Sequence, residues 1–211
     1  MKQDDTKQKI TDMALKLFSE QGYDSVSVGE IADAVGIKAP SLYNHYPSKQ
    51  AIFDAIVEST AALYEKDTDK INIHVQKAEA DAPYFCTVNE KMLFEKVLQI
   101  FEYSLHNETV CRFRKMMTIE QFRSPELKAL YTKRFVDRLV NYHAEIFKSL
   151  ISAGNICDEN PQALALMYVS PVLTLIGICD REPEKESECV EKLKAHVHLF
   201  YKMVHYGKTE I

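Results

Sequence analysis

The stretch from Ser27 to Lys49, SVGEIADAVGIKAPSLYNHYPSK, most constrains the fold, because it marks the ends of two short helices. Ser27 and Glu30 form an S-x-x-E capping box, in which each side chain bonds the backbone amide of the other residue. Gly36 can adopt the left-handed conformation that ends a helix. Pro40 suits the first turn of the next helix, where its missing amide needs no partner. The stretch therefore predicts two helices joined by a tight turn.

The second helix has one apolar side chain that faces inward, Leu42, and Pro47 ends it before Ser48 can cap the next helix. A helix of about seven or eight residues is not stable alone, so it must pack on its neighbours. This arrangement is typical of a helix-turn-helix, whose second helix enters the major groove of DNA. The side chains that we expect to point outward are Ser41, Tyr43, Asn44, His45 and Tyr46.

Residues 10–53 resemble the DNA-binding domain of the TetR family of bacterial transcriptional regulators. The most specific part of the resemblance is the run LYNHYPSK, which follows an LF…G segment. No comparable motif is found in the remainder of the chain. The matching residues are Ile10, Ala14, Leu17, Phe18, Gly22, Val26, Ile31, Ala32, Val35, Gly36, Ile37, Ser41, Leu42, Tyr43, His45, Tyr46, Ser48, Lys49 and Phe53.

The resemblance implies that Tyr43, His45 and Lys49 hold phosphates, contacts that fix register without reading sequence. Bases would be read by the outward residues nearest the helix start and by Asn44, since Asn pairs with adenine and Lys donates to guanine. The complete predicted DNA-binding set is Ser27, Lys38, Ala39, Pro40, Ser41, Tyr43, Asn44, His45, Tyr46 and Lys49.

The overall charge gives no general sign of nucleic-acid binding. The formal net charge is −5, and residues 1–50 hold six Lys against seven acidic residues. The local charge differs, because from Ala34 to Phe53 the only charged side chains are Lys38 and Lys49. The prediction of double-stranded DNA as partner therefore depends on geometry and local charge.

The rest of the chain shows helical periodicity throughout, and no segment alternates as a strand does. We predict an all-α fold, with a three-helix helix-turn-helix domain at 1–47. A larger helical-bundle domain at 48–211 would serve ligand binding and dimerisation. Within it, apolar periodicity predicts helices at 88–105, 108–122, 125–153 and 185–206.

The apolar run at 163–179 approaches membrane-spanning length, but Ser170, Pro171, Thr174 and Gly177 interrupt it. We interpret it as an interface helix, kinked or broken near Pro171, and expect no membrane contact. The last helix repeats apolar residues as the seam of a helix bundle does. Two such helices from each of two chains would form a four-helix homodimer interface, through Leu166, Leu173, Val190, Leu193, Val197, Phe200 and Val204.

Catalytic and metal motifs are missing from the sequence: no G-x-S-x-G, Walker A or H-E-x-x-H pattern occurs, and the Cys residues lack paired zinc spacing. We therefore predict neither an enzyme nor a cofactor, and no metal site, since His196 and His198 face different sides of one helix. The five widely spaced Cys residues are expected to be reduced and largely buried.

Met, Phe and Tyr are abundant between residues 88 and 153. Ordinary core packing explains most of them, whereas a cavity lined by pliable Met and aromatic side chains would accept an apolar ligand. The predicted effector-binding residues are Phe113, Met117 and Tyr142.

These sequence features favour a homodimeric transcriptional regulator that binds a palindromic operator as a repressor would. The resemblance to the TetR family implies that a small apolar or amphipathic effector releases such a repressor from DNA. We expect a cytoplasmic location, because no signal peptide opens the sequence. One alternative is an activator or chromosome-organising protein without an effector. Another is a helical adaptor that uses its helix-turn-helix for protein contacts, which predicts no salt-dependent affinity for DNA.

Overall fold

The computed structural model describes residues 2–70 and 78–206, with side chains described from residue 5 onward. The fold is all-α, as predicted, and these described ranges contain no strand. The helices are α1 (Lys2–Gln21), α2 (Val28–Val35), α3 (Ala39–Tyr43), α4 (Lys49–Asp69), α5 (Ala78–Phe85), α6 (Glu90–His106), α7 (Glu108–Glu120), α8 (Pro125–Thr132), α9 (Arg138–Ser152), α10 (Pro161–Arg181) and α11 (Glu186–His205).

The chain divides into two compact units by packing. The first contains Met1–Lys66 and Asn107–Tyr131, and the second contains Asp67–His106 and Thr132–Ile211. The division into a DNA-binding domain at 1–47 and an effector-binding and dimerisation domain at 48–211 concerns function, and it remains a prediction.

The first unit is organised around an aromatic cluster. The ring centroids of Phe18 and Tyr23 are 5.1 Å apart, and those of Tyr23 and Phe53 are 5.5 Å apart in an edge-to-face arrangement. Such pairs stabilise a core beyond the effect of area burial. Ile31 and Leu42 are fully buried in the same unit, so α2 and α3 are each anchored by an apolar side chain.

The helix-end signals of the sequence are confirmed. Ser27 accepts the amide of Glu30, whose carboxylate accepts the amide of Ser27 at 2.7 Å. Gly36 ends α2 with φ of 80°, in the left-handed region that favours glycine. Ser48 accepts the Ala51 amide at 3.0 Å, which caps α4. These local signals position the turn between α2 and α3.

The second unit is a bundle in which α10 packs against α9 and α11. Its core includes a ring cluster, with the Phe147, Tyr168 and Phe200 centroids between 5.0 and 5.7 Å apart. Gly154, with φ of +67°, follows α9.

Two helix predictions need correction. The predicted helix at 125–153 contains a π-helical segment, Lys133–Asp137, between α8 and α9. A π turn holds more residues than an α turn, so it changes which side chains share a face. We expected a kink or a break near Pro171, and the break is wrong, because α10 runs from Pro161 to Arg181 with Pro171 inside it. The kink remains a prediction.

The predicted dimer residues fall into two groups. Leu193, Val197, Phe200 and Val204 are at most 4% exposed within one chain, so they pack in its own core and offer no surface to a partner. Leu173 and Val190 are half-buried, and Leu166 is 53% exposed. Helical periodicity identified a buried face, but the structure fills that face from within the chain.

Candidate nucleic-acid interface

The predicted recognition helix, α3, is short and is held from one side. Leu42 is its buried residue, with no exposed surface. After Tyr43 the chain continues in a turn, in which the amides of His45 and Tyr46 donate to the Leu42 carbonyl at 2.9 and 3.0 Å. Leu42 therefore anchors both the helix and the turn that follows it.

The opposite side of α3 is open to solvent. Lys38, Pro40, Tyr43 and Asn44 are exposed, with Tyr43 at 52%, whereas Ala39 and Ser41 are half-buried. The sequence places no acidic residue between 34 and 53. This face offers hydroxyl, amide and ammonium groups without a carboxylate that would repel phosphate.

His45 carries an unsatisfied polar atom beside this face. Its Nδ1 is buried and has no hydrogen-bond partner among the described residues. Burial of a polar atom without a partner is costly, and this atom meets solvent or a ligand only if the side chain turns. The neighbouring Tyr46 is half-buried, and burial raises its pKa, so the phenol remains neutral near pH 7. The Lys7 ammonium lies 5.8 Å from the Tyr46 ring centroid.

Two residues of the predicted DNA-binding set are engaged inside the protein. The Ser27 hydroxyl accepts the Glu30 amide and donates to the Glu30 carboxylate at 2.7 Å. Lys49 donates to the carbonyls of Tyr23 and Val26, each at 2.8 Å, and its ammonium lies 4.1 Å from the Tyr23 ring centroid. Lys49 therefore holds the loop before α2, and a phosphate contact by Lys49 remains a prediction.

An ion-pair network built on the buried Glu120 carboxylate, which sequence reasoning missed, supports the same loop. Glu120, at the end of α7, has a side chain only 6% exposed and accepts the Tyr23 amide at 2.8 Å. Arg123 pairs with Glu120 at 2.9 Å and with Asp24 at 3.2 Å. Its guanidinium carbon lies 3.9 Å from the Tyr23 ring centroid. No local pattern announces this network, because Tyr23 and Glu120 are 97 residues apart in the sequence.

The predicted effector-binding residues are all buried. Phe113 and Met117 lie in the core of the first unit, at 2% and 0% exposure. Tyr142 lies in the second unit, and its hydroxyl donates to the Asp81 carboxylate. Their role in ligand binding remains a prediction.

The second unit contains a cavity of about 60 Å³ between α5, α6, α9, α10 and α11, which we call the bundle cavity. None of Phe113, Met117 and Tyr142 lines it. Its lining contains no Asp, Glu, Lys or Arg, and it includes Phe85, His143, Phe147, Tyr168, Phe200 and His205. The abundance of aromatic residues suggested such a space, but only the packing of distant helices identifies its walls.

His143 at this cavity is held in its neutral form. Its Nδ1 lies 2.8 Å from the Leu139 carbonyl oxygen, so Nδ1 carries the proton and Nε2 keeps its lone pair. Burial lowers the pKa of His143 to about 4, against 6.5 for an unperturbed imidazole. The unfolded chain therefore takes up a proton at a pH where folded His143 does not.

This difference predicts a loss of stability on acidification. Between about pH 6.5 and about pH 4 the unfolded state binds more protons, so the free energy of unfolding falls as the pH falls. From pH 7 to pH 5 we expect the unmodified protein to lose about 1–2 kcal/mol more than His143→Phe does. Urea denaturation of both proteins at the two pH values measures this. The same pH dependence in both would exclude His143 as the cause.

The remaining titratable clusters give no sign of a metal site. No group of three or more His, Cys, Asp or Glu side chains in the described residues is arranged to hold a metal ion. His198 Nδ1 bonds Glu90 at 2.8 Å, and His196 Nε2 lies 3.0 Å from the Tyr168 carbonyl. All five Cys are free thiols, of which Cys179 and Cys189 are buried.

Comparisons with known proteins agree with the geometry of the first unit. The family model described as bacterial regulatory proteins, tetR family, matches residues 10–56. Among curated proteins, the chain is similar to IcaR of Staphylococcus aureus, the biofilm operon icaADBC HTH-type negative transcriptional regulator. The two are 34% identical over 96 residues, which cover 46% of this chain and 48% of IcaR. The match thus spans about half the length of each protein.

Solved structures extend the similarity to the whole fold. A putative TetR-family transcriptional regulator from Mesorhizobium loti is 19% identical, with a TM-score of 0.66 over 95% of this chain and 96% of that one. SmeT of Stenotrophomonas maltophilia, solved with triclosan, is 20% identical to this chain, with a TM-score of 0.63. The similarity covers 96% of this chain and 93% of SmeT. At these identities the likeness establishes the fold alone. The match to the tetR family of bacterial regulatory proteins covers residues 10–56, and beyond that segment the chain shares the fold of these solved structures.

Proposed function

We propose that the chain is a DNA-binding transcriptional repressor that binds a palindromic operator as a homodimer in the cytoplasm. A small apolar or amphipathic effector would release it from DNA. The observation that carries this proposal is the open face of α3, which presents Lys38, Tyr43 and Asn44 to solvent beside the unsatisfied Nδ1 of His45. IcaR is a negative transcriptional regulator, which supports the assignment of a repressor.

Salt dependence tests the DNA-binding part of the proposal. Each phosphate that the protein neutralises releases counterions, so affinity for a duplex falls steeply with added salt. Raising the salt from about 50 mM to about 200 mM should weaken binding roughly a thousandfold or more if the dimer contacts six or more phosphates. Fluorescence anisotropy of a labelled duplex provides the measurement. Affinity that does not change with salt would favour a helix-turn-helix that contacts protein instead.

Asn44→Ala tests whether α3 reads bases. An exposed Asn at the end of α3 can bond adenine bidentately, a contact worth about 1–3 kcal/mol of discrimination. We expect the variant to bind its preferred duplex roughly tenfold more weakly. Its preference should relax at one base pair in each half-site. Binding measured against all single-base variants of the site checks this, and equal loss at every variant would contradict base reading by Asn44.

The proposed dimer face lies on the exposed sides of α10 and α11. The most apolar 18 residues of α10 have a mean hydropathy of 1.8, yet only 39% of this stretch is buried within the chain. By length and composition α10 would also suffice to cross a membrane. Leu166 and Met167 on α10 are 53% and 50% exposed, and Leu199 on α11 is 68% exposed. A second copy of the chain fits this face, because a two-fold dimer presents two recognition helices to the two half-sites of an inverted repeat.

Placing charge on this face should separate the dimer. We expect Leu166→Glu combined with Leu199→Glu to sediment as a monomer and to bind an inverted repeat about a hundredfold more weakly, because the two half-sites are no longer linked. Val136→Glu is the matched control, since Val136 is also exposed, at 37%, but lies on the π-helical segment. A double variant that stays dimeric would contradict the assignment of the dimer interface to this face.

The effector part of the proposal draws support from the second unit. The bundle cavity is lined by aromatic and aliphatic side chains, as small-molecule sites are. SmeT, a structural neighbour, has been solved with triclosan. A ligand releases DNA only if its affinities for the DNA-bound and released conformations differ. Titration of the purified protein–DNA complex with small aromatic compounds tests this part, and release must follow ligand concentration.

A further inference from the structure

The bundle cavity has a chemical character that narrows what it can bind. Three rings, those of Phe147, Tyr168 and Phe200, form one wall, with Phe147 perpendicular to Tyr168 at a centroid distance of 5.7 Å. The His143 ring lies 5.0 Å from Tyr168, so the imidazole is part of the same wall. Planar apolar molecules are favoured against such surfaces, because aromatic rings stack or meet edge to face.

Two polar atoms at this wall have unused hydrogen-bonding capacity. Because His143 Nδ1 donates to Leu139, Nε2 is an acceptor, and no described residue donates to it. The Tyr168 hydroxyl likewise makes no hydrogen bond to a described residue. Burial raises the pKa of Tyr168, which keeps the phenol protonated as a donor. The wall therefore offers one acceptor and one hydroxyl.

The lining disfavours a charged ligand. Among the described residues that line it there is no acid, Lys or Arg, and His143 is neutral at pH 7. The other imidazole, that of His205, donates from Nδ1 to the Tyr201 carbonyl at 2.8 Å. An ion placed here would lose its hydration without gaining a partner of opposite charge, which is costly. A neutral molecule with a single polar group loses little hydration free energy that is not regained, because that group can bond the unused atoms of His143 and Tyr168.

The cavity is smaller than a single ring requires, so it favours the smallest aromatic ligands. A closed apolar cavity of about 150 Å³ accommodates benzene, whereas the bundle cavity measures about 60 Å³. A single ring therefore enters only when the walls separate, and a larger ligand requires a larger displacement. Binding that selects a widened conformation is the kind of differential affinity that an effector needs.

We propose that the bundle cavity binds a neutral single-ring aromatic molecule that bears one hydroxyl, a phenol. The ligand hydroxyl donates to Nε2 of His143 and accepts from the Tyr168 hydroxyl, while its ring packs on Phe147 and Phe200. This site deepens the proposed function, since calling the phenol an effector rests on the chain being a DNA-binding regulator. Occupation of the cavity itself does not depend on DNA.

Calorimetry with the full-length protein in the absence of DNA tests the site, with phenol as probe and toluene as a probe of similar shape that lacks the hydroxyl. We expect phenol to bind, and Tyr168→Phe and His143→Phe each to weaken it about five- to tenfold, the effect of one lost hydrogen bond. Toluene should bind the unmodified protein and both variants with equal affinity. Both substitutions keep a ring in place, and Tyr168→Phe suffices if His143→Phe does not fold.

Several outcomes would overturn the proposal, and they differ from failure of the proposed function. No phenol binding to the folded protein, or equal phenol affinity in the unmodified protein and both variants, would exclude this site. A second measurement adds phenol to the protein–DNA complex, where we expect DNA affinity to fall in the unmodified protein and to fall less in Tyr168→Phe. Unchanged DNA affinity at saturating phenol would exclude the effector role. Absence of DNA binding before phenol is added would instead contradict the proposed function.

Discussion

Replacing Glu120 by Ala is expected to lower the free energy of unfolding of the first unit by about 1–3 kcal/mol. The carboxylate is buried, and it bonds both the Tyr23 amide at 2.8 Å and Arg123 at 2.9 Å. Its removal leaves the amide without its acceptor and Arg123 without its closest partner. An uncompensated buried group costs more than the pair contributes when intact, because its desolvation is no longer offset.

Urea denaturation measures this effect, and the chain offers matched controls. Glu120→Gln keeps an acceptor for the Tyr23 amide and removes only the charge, so its loss should be smaller. Glu108→Ala removes an exposed acid from the same helix, where Glu108 pairs with Arg112 at 2.7 Å. Surface ion pairs of this kind contribute little to the free energy of unfolding. If Glu120→Ala and Glu108→Ala unfold at the same urea concentration, the network does not stabilise the unit.

The second large effect is expected at Leu42. Leu42→Ala removes the buried anchor of α3 and should lower the free energy of unfolding by about 3 kcal/mol. The transfer free energy of the removed atoms is lost, and a cavity is left in the core. DNA affinity should fall as well, because a helix of five residues does not hold its conformation without docking.

Tyr43→Ala, at the next residue, is the matched control for Leu42→Ala. Tyr43 is 52% exposed, so its loss should leave the urea midpoint unchanged while it weakens binding to all duplexes alike. Denaturation and anisotropy on the same two proteins separate these effects. A large stability loss in Tyr43→Ala, or full DNA affinity in Leu42→Ala, would contradict the assignment of inner and outer faces of α3.

The parts of the fold that could be predicted are those set by neighbours in sequence. The Ser27–Glu30 capping box, the Gly36 terminator and the Ser48 cap each act within about one helical turn, and the structure has them as expected. Leu42 is buried and Tyr43 exposed for the same reason, because a short helix with one apolar residue has one way to dock.

The parts that could not be predicted depend on contacts between distant segments. Periodicity shows that Leu193 and Phe200 share a buried face, but it does not reveal whether that face meets the same chain or another copy. The Glu120 network joins segments 97 residues apart. The walls of the bundle cavity come from helices whose arrangement no local pattern specifies. The position of Lys49 could not be predicted for the same reason, because its ammonium donates to carbonyls of an earlier loop.

Selection of bound fragments from random duplex DNA by the purified protein tests whether the chain reads an operator as a homodimer, with the selection repeated at about 50 mM and about 200 mM salt. We expect enrichment of an inverted repeat whose half-site centres lie one helical turn apart, about 34 Å, or a multiple of it. Enrichment should be weaker at the higher salt, and the Leu166→Glu, Leu199→Glu double variant should not recover the repeat. A folded dimer that enriches no sequence at the lower salt would show that the chain does not read an operator.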